Sequence, residues 1–342
     1  MKIIIVLLSL MLFALPVELH SQTAKPDKIK TTDKTLVSVP VTVSDREGRY
    51  ISGLKKEDFS LYEDGVKQNI AFFATYDEPL NIALLLDTSG STENVLESIK
   101  EAAKDFIKLL NRNDQCLIAT FDSQVKILNP LTANRQTLRS SLDKIQSAQI
   151  GGTLMYRAVE QVAQNSFANV QGRKVIVLLT DGKDFGSAVT KDELINQLEE
   201  SDILIYTLFY KTGAGFNNPA IGKGKQNKKS RKKKREIPVL ISGPVYVPTE
   251  EEIVLRERND EAEAVDALKK MSDTTAGRFY SSDTPKLGEI FKKVAGELRE
   301  QYRLGYQSKD AANDQAVHDI IVKVNRPDAV VLARGKFRGK QF

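Results

Sequence analysis

Two segments, Ile82–Leu86 and Val175–Leu179, are apolar at every position, and each runs within two residues into an aspartate, Asp87 and Asp181. A strand with one wet face alternates apolar and polar residues. An unbroken apolar run therefore marks a strand covered on both faces, as parallel strands beneath flanking helices are. The segment after Asp87 carries Leu96, Ile99, Ala103, Phe106 and Leu110 at steps of three and four, the spacing of an amphipathic helix. The same grammar continues with strands at Cys116–Phe121 and Val125–Leu131 and helices at Gln136–Ile145 and Tyr156–Gln164. After the Val175 strand come a helix at Asp192–Glu199, a strand at Ile203–Phe209, a helix at Glu261–Ser272 and a short strand at Arg278–Tyr280. Pro285 opens a last helix reaching about Gln301. Strands alternating with helices predict an α/β fold built on a doubly wound, mostly parallel sheet.

Both flanks of this region read differently. Leu36–Ser44 alternates strictly, with Val37, Val39, Val41 and Val43 on one face, and Pro40 suggests a sheet edge. Phe59–Tyr62 and Val66–Phe72 flank Asp64-Gly65, a hairpin signal. After the last helix, Tyr302, Leu304 and Tyr306 alternate, as do His318, Ile320, Val322 and Val324, with a turn at Pro327-Asp328 before Val330–Ala333. Three or four strands make only part of a sandwich, so the two flanks are expected to pair as one small β-sandwich-like domain with the α/β region inserted between them. The predicted organisation is a signal peptide at 1–22, a β segment at 35–78, the α/β domain at 80–301 and a returning β segment at 302–337. Residues 211–260 interrupt the α/β pattern with a polar stretch rich in Gly and Lys, followed by Pro238, Pro244 and Pro248. They are expected to be a mobile insertion.

Lys2, the apolar stretch Ile3–Leu15 and the polar residues after Pro16 fit an export signal cleaved near Ser21 or Gln22; the alternative is an uncleaved anchor. The expected location is periplasmic or secreted. Cys116 is the only cysteine, so no intrachain disulfide forms, and its apolar surroundings read as core. Of 50 basic residues, nine fall in one acid-free stretch from Lys223 to Arg235; the other 41 are outnumbered by 45 acidic residues. The basic character thus belongs to one segment and excludes a generally nucleic-acid-binding surface. Lys228, Lys229, Arg231, Lys232, Lys233, Lys234 and Arg235 are candidates to touch an anionic envelope surface, or simply a solvated loop. No aromatic residue interleaves them, and no specific nucleic acid is expected.

In open parallel sheets, ligands bind beyond the carboxyl ends of the strands. Asp87-Thr88-Ser89-Gly90-Ser91 sits at one such end and Asp181 at another, while Thr153 opens the helix leading to the second strand. Hydroxyls and carboxylates are hard oxygen ligands suited to Mg²⁺, or to Mn²⁺ or Ca²⁺, and not to zinc or copper. Helix capping would account for Asp87 and Ser91 but not for Thr153 or Asp181.

Asp87, Ser89, Ser91, Thr153 and Asp181 match, in order, the metal-ion-dependent adhesion site of the von Willebrand factor type A (integrin I-like) family. The chain resembles that family from Asn81 to about Gln301. Its β flanks look like those of bacterial exported proteins carrying the domain. The resemblance implies that Ser89, Ser91 and Thr153 bind the ion through hydroxyls, with Asp87 and Asp181 acting mainly through water. It also implies that a carboxylate of a protein partner completes the site, and that the last helix moves when it does. Asp122, Ser123 and Asp184 are candidates to support these ligands, or are turn formers.

The expected function is an exported, metal-dependent binding or adhesion module for a protein presenting Asp or Glu. The alternatives are a structural component of an envelope assembly whose metal only stabilises it, and a metal-dependent hydrolase. Against an enzyme, the chain has no Gly-x-Ser-x-Gly elbow and no Gly-Lys-Ser/Thr phosphate loop, and Ser89 stands where a phosphatase would need a second aspartate.

Overall fold

The computed structural model describes residues 36–75, 78–148, 151–211, 250–282, 286–308 and 316–338. The expected signal peptide and the basic run Lys223–Arg235 lie outside them.

The N-terminal flank forms β1 (Leu36–Ser44), β2 (Phe59–Glu63), β3 (Val66–Gln68) and β4 (Ile70–Ala74). The α/β region follows with β5 (Leu80–Asp87), α1 (Leu96–Leu109), β6 (Gln115–Phe121), β7 (Val125–Thr132), α2 (Arg135–Asp143) and α3 (Met155–Gln161). It continues with β8 (Arg173–Thr180), α4 (Lys191–Glu199), β9 (Ile203–Tyr210), α5 (Glu250–Thr274), β10 (Phe279–Ser282) and α6 (Leu287–Arg299). The C-terminal flank adds β11 (Tyr302–Gln307), β12 (Val317–Val324), β13 (Val330–Ala333) and β14 (Lys336–Arg338).

The central sheet has the order β10-β9-β8-β5-β6-β7, parallel throughout except for β7, which returns antiparallel beside β6. All eight residues of β5 are buried, which is why its sequence shows no alternation. Ile82, Leu84 and Leu86 pack beneath α1, α2 and α6. In that layer Phe106 and Phe291 meet with ring centroids 4.9 Å apart. Ala83 and Leu85 face the opposite layer of α3, α4 and α5. The domain is thus a three-layer α/β/α unit whose strand ends at Asp87 and Asp181 open on one rim.

Strands from both flanks interleave in two further sheets, β13-β1-β11-β4 and β14-β12-β2-β3. One apolar cluster lies between them, built from Val37, Val39, Val41, Val43, Leu61, Leu304, Tyr306 and Ile320 among others. Phe59 of one sheet and Tyr302 of the other approach to 5.2 Å between ring centroids.

The structure corrects four local expectations. β1 is an interior strand and not an edge; Pro40 is accommodated because β13 pairs only with Val41–Ser44, leaving Pro40 with β11 alone. The segment Val66–Phe72 is two strands, since the chain leaves one sheet after Gln68 and enters the other at Ile70. Asp64 and Gly65 both have positive φ, 49° and 79°, the conformation that a two-residue hairpin turn of matching twist requires. The expected insertion at 211–260 ends in helix: α5 starts at Glu250 and not at Glu261. The last helix ends at Arg299, short of Gln301, whose side chain instead accepts from Arg173 and donates to the Tyr206 hydroxyl. Pro285 lies outside the described residues. Among the described residues no helix is long and apolar enough to cross a membrane.

Candidate metal centre

Asp87 is the last residue of β5 and is fully buried. One carboxylate oxygen, Oδ1, accepts from the Ser89 amide at 3.0 Å and the Ser89 hydroxyl at 2.6 Å. The other, Oδ2, accepts from the Thr180 hydroxyl at 2.8 Å. Ser89 Oγ in turn lies 3.0 Å from Ser91 Oγ, and Ser91 is exposed at the rim. These residues do not cap α1. A short 3₁₀ turn, Gly90–Thr92, intervenes, and α1 starts at Leu96 with no side-chain cap.

A ring of hydrogen bonds carries the arrangement through four chain segments. Thr88 Oγ1 donates to Asp122 Oδ2 at 3.1 Å, and the Asp122 carbonyl accepts from the Leu154 amide at 2.9 Å, beside Thr153. Thr153 and Phe185 exchange both backbone hydrogen bonds, at 3.3 and 2.8 Å, which ties the Thr153 turn to the loop of Asp181. Thr180, one residue before Asp181, closes the ring on Asp87. Gly152 is required in this ring because a Cβ there would stand 2.3 Å from the Phe185 carbonyl oxygen.

Asp181 is buried, and the Lys183 ammonium lies 3.7 Å from its Oδ2. Burial pushes the Asp87 carboxyl up to about 6, and the negative charge of Asp181 adds to the effect against the hydrogen bonds from Ser89 and Thr180. Tyr210, at the end of β9, is buried, and among the described residues its hydroxyl has no hydrogen-bond partner. Burial first, then the charges of Asp87 and Asp181, hold that hydroxyl well above its ordinary range. Two buried carboxylates close enough to repel and a chain of serine hydroxyls form an oxygen-rich, electronegative cluster, and this donor set fits a hard divalent cation. Among the described residues no group of three or more His, Cys, Asp or Glu gathers, at this rim or elsewhere, so the donors here are hydroxyls with two carboxylates.

The supporting candidates separate. Asp122 joins the ring, with its Oδ1 accepting from the Gln124 amide and the Ser123 hydroxyl at 3.0 and 3.2 Å. Ser123 itself packs against Gly151, where a Cβ would meet Ser123 Cβ at 2.7 Å. Asp184 caps α3 instead, accepting from the Tyr156 amide at 2.9 Å and the Ser187 hydroxyl at 2.7 Å. Sequence reasoning missed Thr180, Thr88, Gly152 and Tyr210. Only Thr180 left a sequence signal, as the hydroxyl that follows the apolar run Val175–Leu179 and stands beside Asp181.

The sequence model of the von Willebrand factor type A domain matches residues 81–232. An uncharacterised protein of Synechocystis (strain PCC 6803) is 31% identical over 110 residues, 31% of this chain and 26% of that protein. An uncharacterised protein of Borreliella burgdorferi is 26% identical over 136 residues, 37% of this chain and 40% of that protein. The chain thus spans well under half the length of these curated relatives. A solved von Willebrand factor type A structure from Catenulispora acidiphila aligns over 91% of this chain and 75% of its own, at 13% identity and a TM-score of 0.45. With β5, β8 and the rim residues all inside the matched span, the chain carries a von Willebrand factor type A domain.

Proposed function

We propose that this protein is an exported binding module and not an enzyme, and that it grips a carboxylate of a protein partner through one divalent cation. Asp87, Ser89, Ser91, Thr153 and Asp181 would hold the ion, with Mg²⁺ the natural occupant and Mn²⁺ or Ca²⁺ as substitutes. When bound, the ion supplies a Lewis-acidic position able to accept one further oxygen ligand. The observation that carries the reading is the closed ring of hydrogen bonds from Asp87 through Asp122, Thr153 and Phe185 back to Thr180. It holds four distant chain segments together on one rim, with the hydroxyls and carboxylates of the five residues gathered there.

The protein's own residues divide the work. Ser89 and Thr180 hold the Asp87 carboxylate in one orientation, and the Phe185 bridge fixes Thr153 relative to the Asp181 loop. Two carboxylates only balance a divalent charge, so an incoming anionic oxygen is not repelled. The exposure of Ser91 leaves the site open to a macromolecule. The partner is expected outside the cytoplasm, and the Lys228–Arg235 run would add adsorption to an anionic envelope surface.

Calorimetric titration of the full chain with Mg²⁺ and Mn²⁺ tests the site. One ion per chain is expected, and Asp87→Ala should abolish the heat while the circular dichroism spectrum persists. An unchanged affinity in that variant would remove the assignment. A protein captured from envelope extract in Mg²⁺ and lost in chelator would rule out a purely structural metal; capture unaffected by chelator would overturn the metal-dependent grip.

A further inference from the structure

Phe185 is 61% exposed and is the one aromatic among the exposed large hydrophobic residues of the described chain. It stands on the site's own rim, exchanging two backbone hydrogen bonds with Thr153. The backbone that carries it is held in place. Its carbonyl presses on Gly152, while the preceding residue, Asp184, is fixed by the start of α3 and by Ser187. Half-buried Leu154 lies alongside, its Cδ2 within 3.4 Å of where a Gly186 Cβ would be. Leu154 and Phe185 thus flank Thr153 with an apolar shelf on an otherwise polar rim.

We infer that this shelf sets partner specificity: the segment the site accepts carries a bulky apolar side chain one or two residues from its carboxylate. The inference rests on the metal-dependent reading above. Bridged residues such as Thr153 and Phe185 have Cα atoms roughly 5 Å apart, and an extended peptide advances about 3.3 Å per residue. A carboxylate directed to the Thr153 side therefore brings a neighbouring side chain over the Phe185 ring. Covering that ring removes apolar surface from water on both partners, and aromatic anchors of this kind dominate recognition energetics. An acidic segment with only polar neighbours would leave the ring wet and gain nothing from it.

The test compares two immobilised peptides, acetyl-Gly-Leu-Asp-Leu-Gly-amide and acetyl-Gly-Gly-Asp-Gly-Gly-amide, against the full chain in Mg²⁺. The leucine peptide should bind roughly fivefold tighter or more. Phe185→Ser should bring it to the level of the glycine peptide, and Phe185→Leu should keep most of the difference. Both variants are compared at a Mg²⁺ concentration that saturates each of them, as set by calorimetry, so that a change in metal affinity is read separately from the loss of discrimination between the peptides. Equal binding of the two peptides by the wild type, no binding of the leucine peptide, or discrimination surviving in Phe185→Ser would each overturn the shelf. Chelator separates the two readings: Phe185-dependent discrimination that persists without metal would refute the metal-dependent grip while leaving the shelf in place.

Discussion

Replacing Asp87 by asparagine tests the electrostatics of the candidate centre apart from any partner. Burial and the charge of Asp181 push the Asp87 carboxyl from 3.8 to about 6 in the folded chain. A raised folded value means the native state holds the proton more tightly than the unfolded chain does. The ionised group therefore destabilises the fold, beginning as pH rises above the unfolded value near 4 and reaching its full extent above about 6. A rise of that size corresponds to about 3 kcal/mol at neutral pH. The full burial of Asp87 leaves little solvent screening to reduce this. Asparagine keeps an oxygen for the Ser89 amide and hydroxyl, but its amide meets Thr180 Oγ1, which now donates to Asp87 and accepts from Gly182. Losing one such bond costs about 1 kcal/mol. In chelator at pH 7.5, Asp87→Asn should therefore be more stable than wild type by roughly 1–2 kcal/mol in urea unfolding.

The gap should close or reverse at pH 5, where wild-type Asp87 is largely protonated. Saturating Mg²⁺ should raise wild-type stability, by about 2.7 kcal/mol at a hundredfold excess over Kd, and leave the variant unmoved. A variant less stable than wild type in chelator at pH 7.5, or a gap independent of pH, would show that burial and the charge of Asp181 do not raise the Asp87 carboxyl and would refute this account of the site.

Gly152→Ala places a methyl 2.3 Å from the Phe185 carbonyl, so the Thr153–Phe185 bridge must part. Mg²⁺ affinity should fall at least about tenfold with a stability loss of roughly 1–3 kcal/mol, read by calorimetry and urea titration. Glu297→Ala removes a fully buried carboxylate that accepts from Arg278 Nε at 2.8 Å and from the hydroxyls of Tyr206 and Tyr50 at 3.1 and 3.2 Å. It should cost roughly 3–5 kcal/mol in unfolding free energy, while Mg²⁺ affinity of the folded fraction stays within about twofold, since none of these partners belongs to the ring of hydrogen bonds around Asp87.

The same residues explain what the sequence could and could not reveal. Asp87 and Asp181 were legible because a buried parallel strand has no reason to end in a charge, and two strands doing so mark one rim. Thr153 became legible only with them, as a third oxygen in a fixed order along the chain. Glu297 was not. In sequence it is one more polar position on an amphipathic helix, and only the packing of Arg278, Tyr206 and Tyr50 around it makes it a buried link between α6 and the β flank. Tyr210 and Phe185 show the same limit with opposite burial. Each is an aromatic near a strand end, one orphaned beside two carboxylates and the other left in solvent by a backbone bridge. Period and composition specify which face of an element is apolar, but they carry no information about which distant chain segments meet at its end. Pro40 makes the point within one strand: its missing amide marks a place without a second neighbour. That place proved to be half of an interior strand, because β13 stops short of it. Local chemistry therefore located the unsatisfied positions, and only the pairing of distant segments decided whether each became an edge, a link or a site.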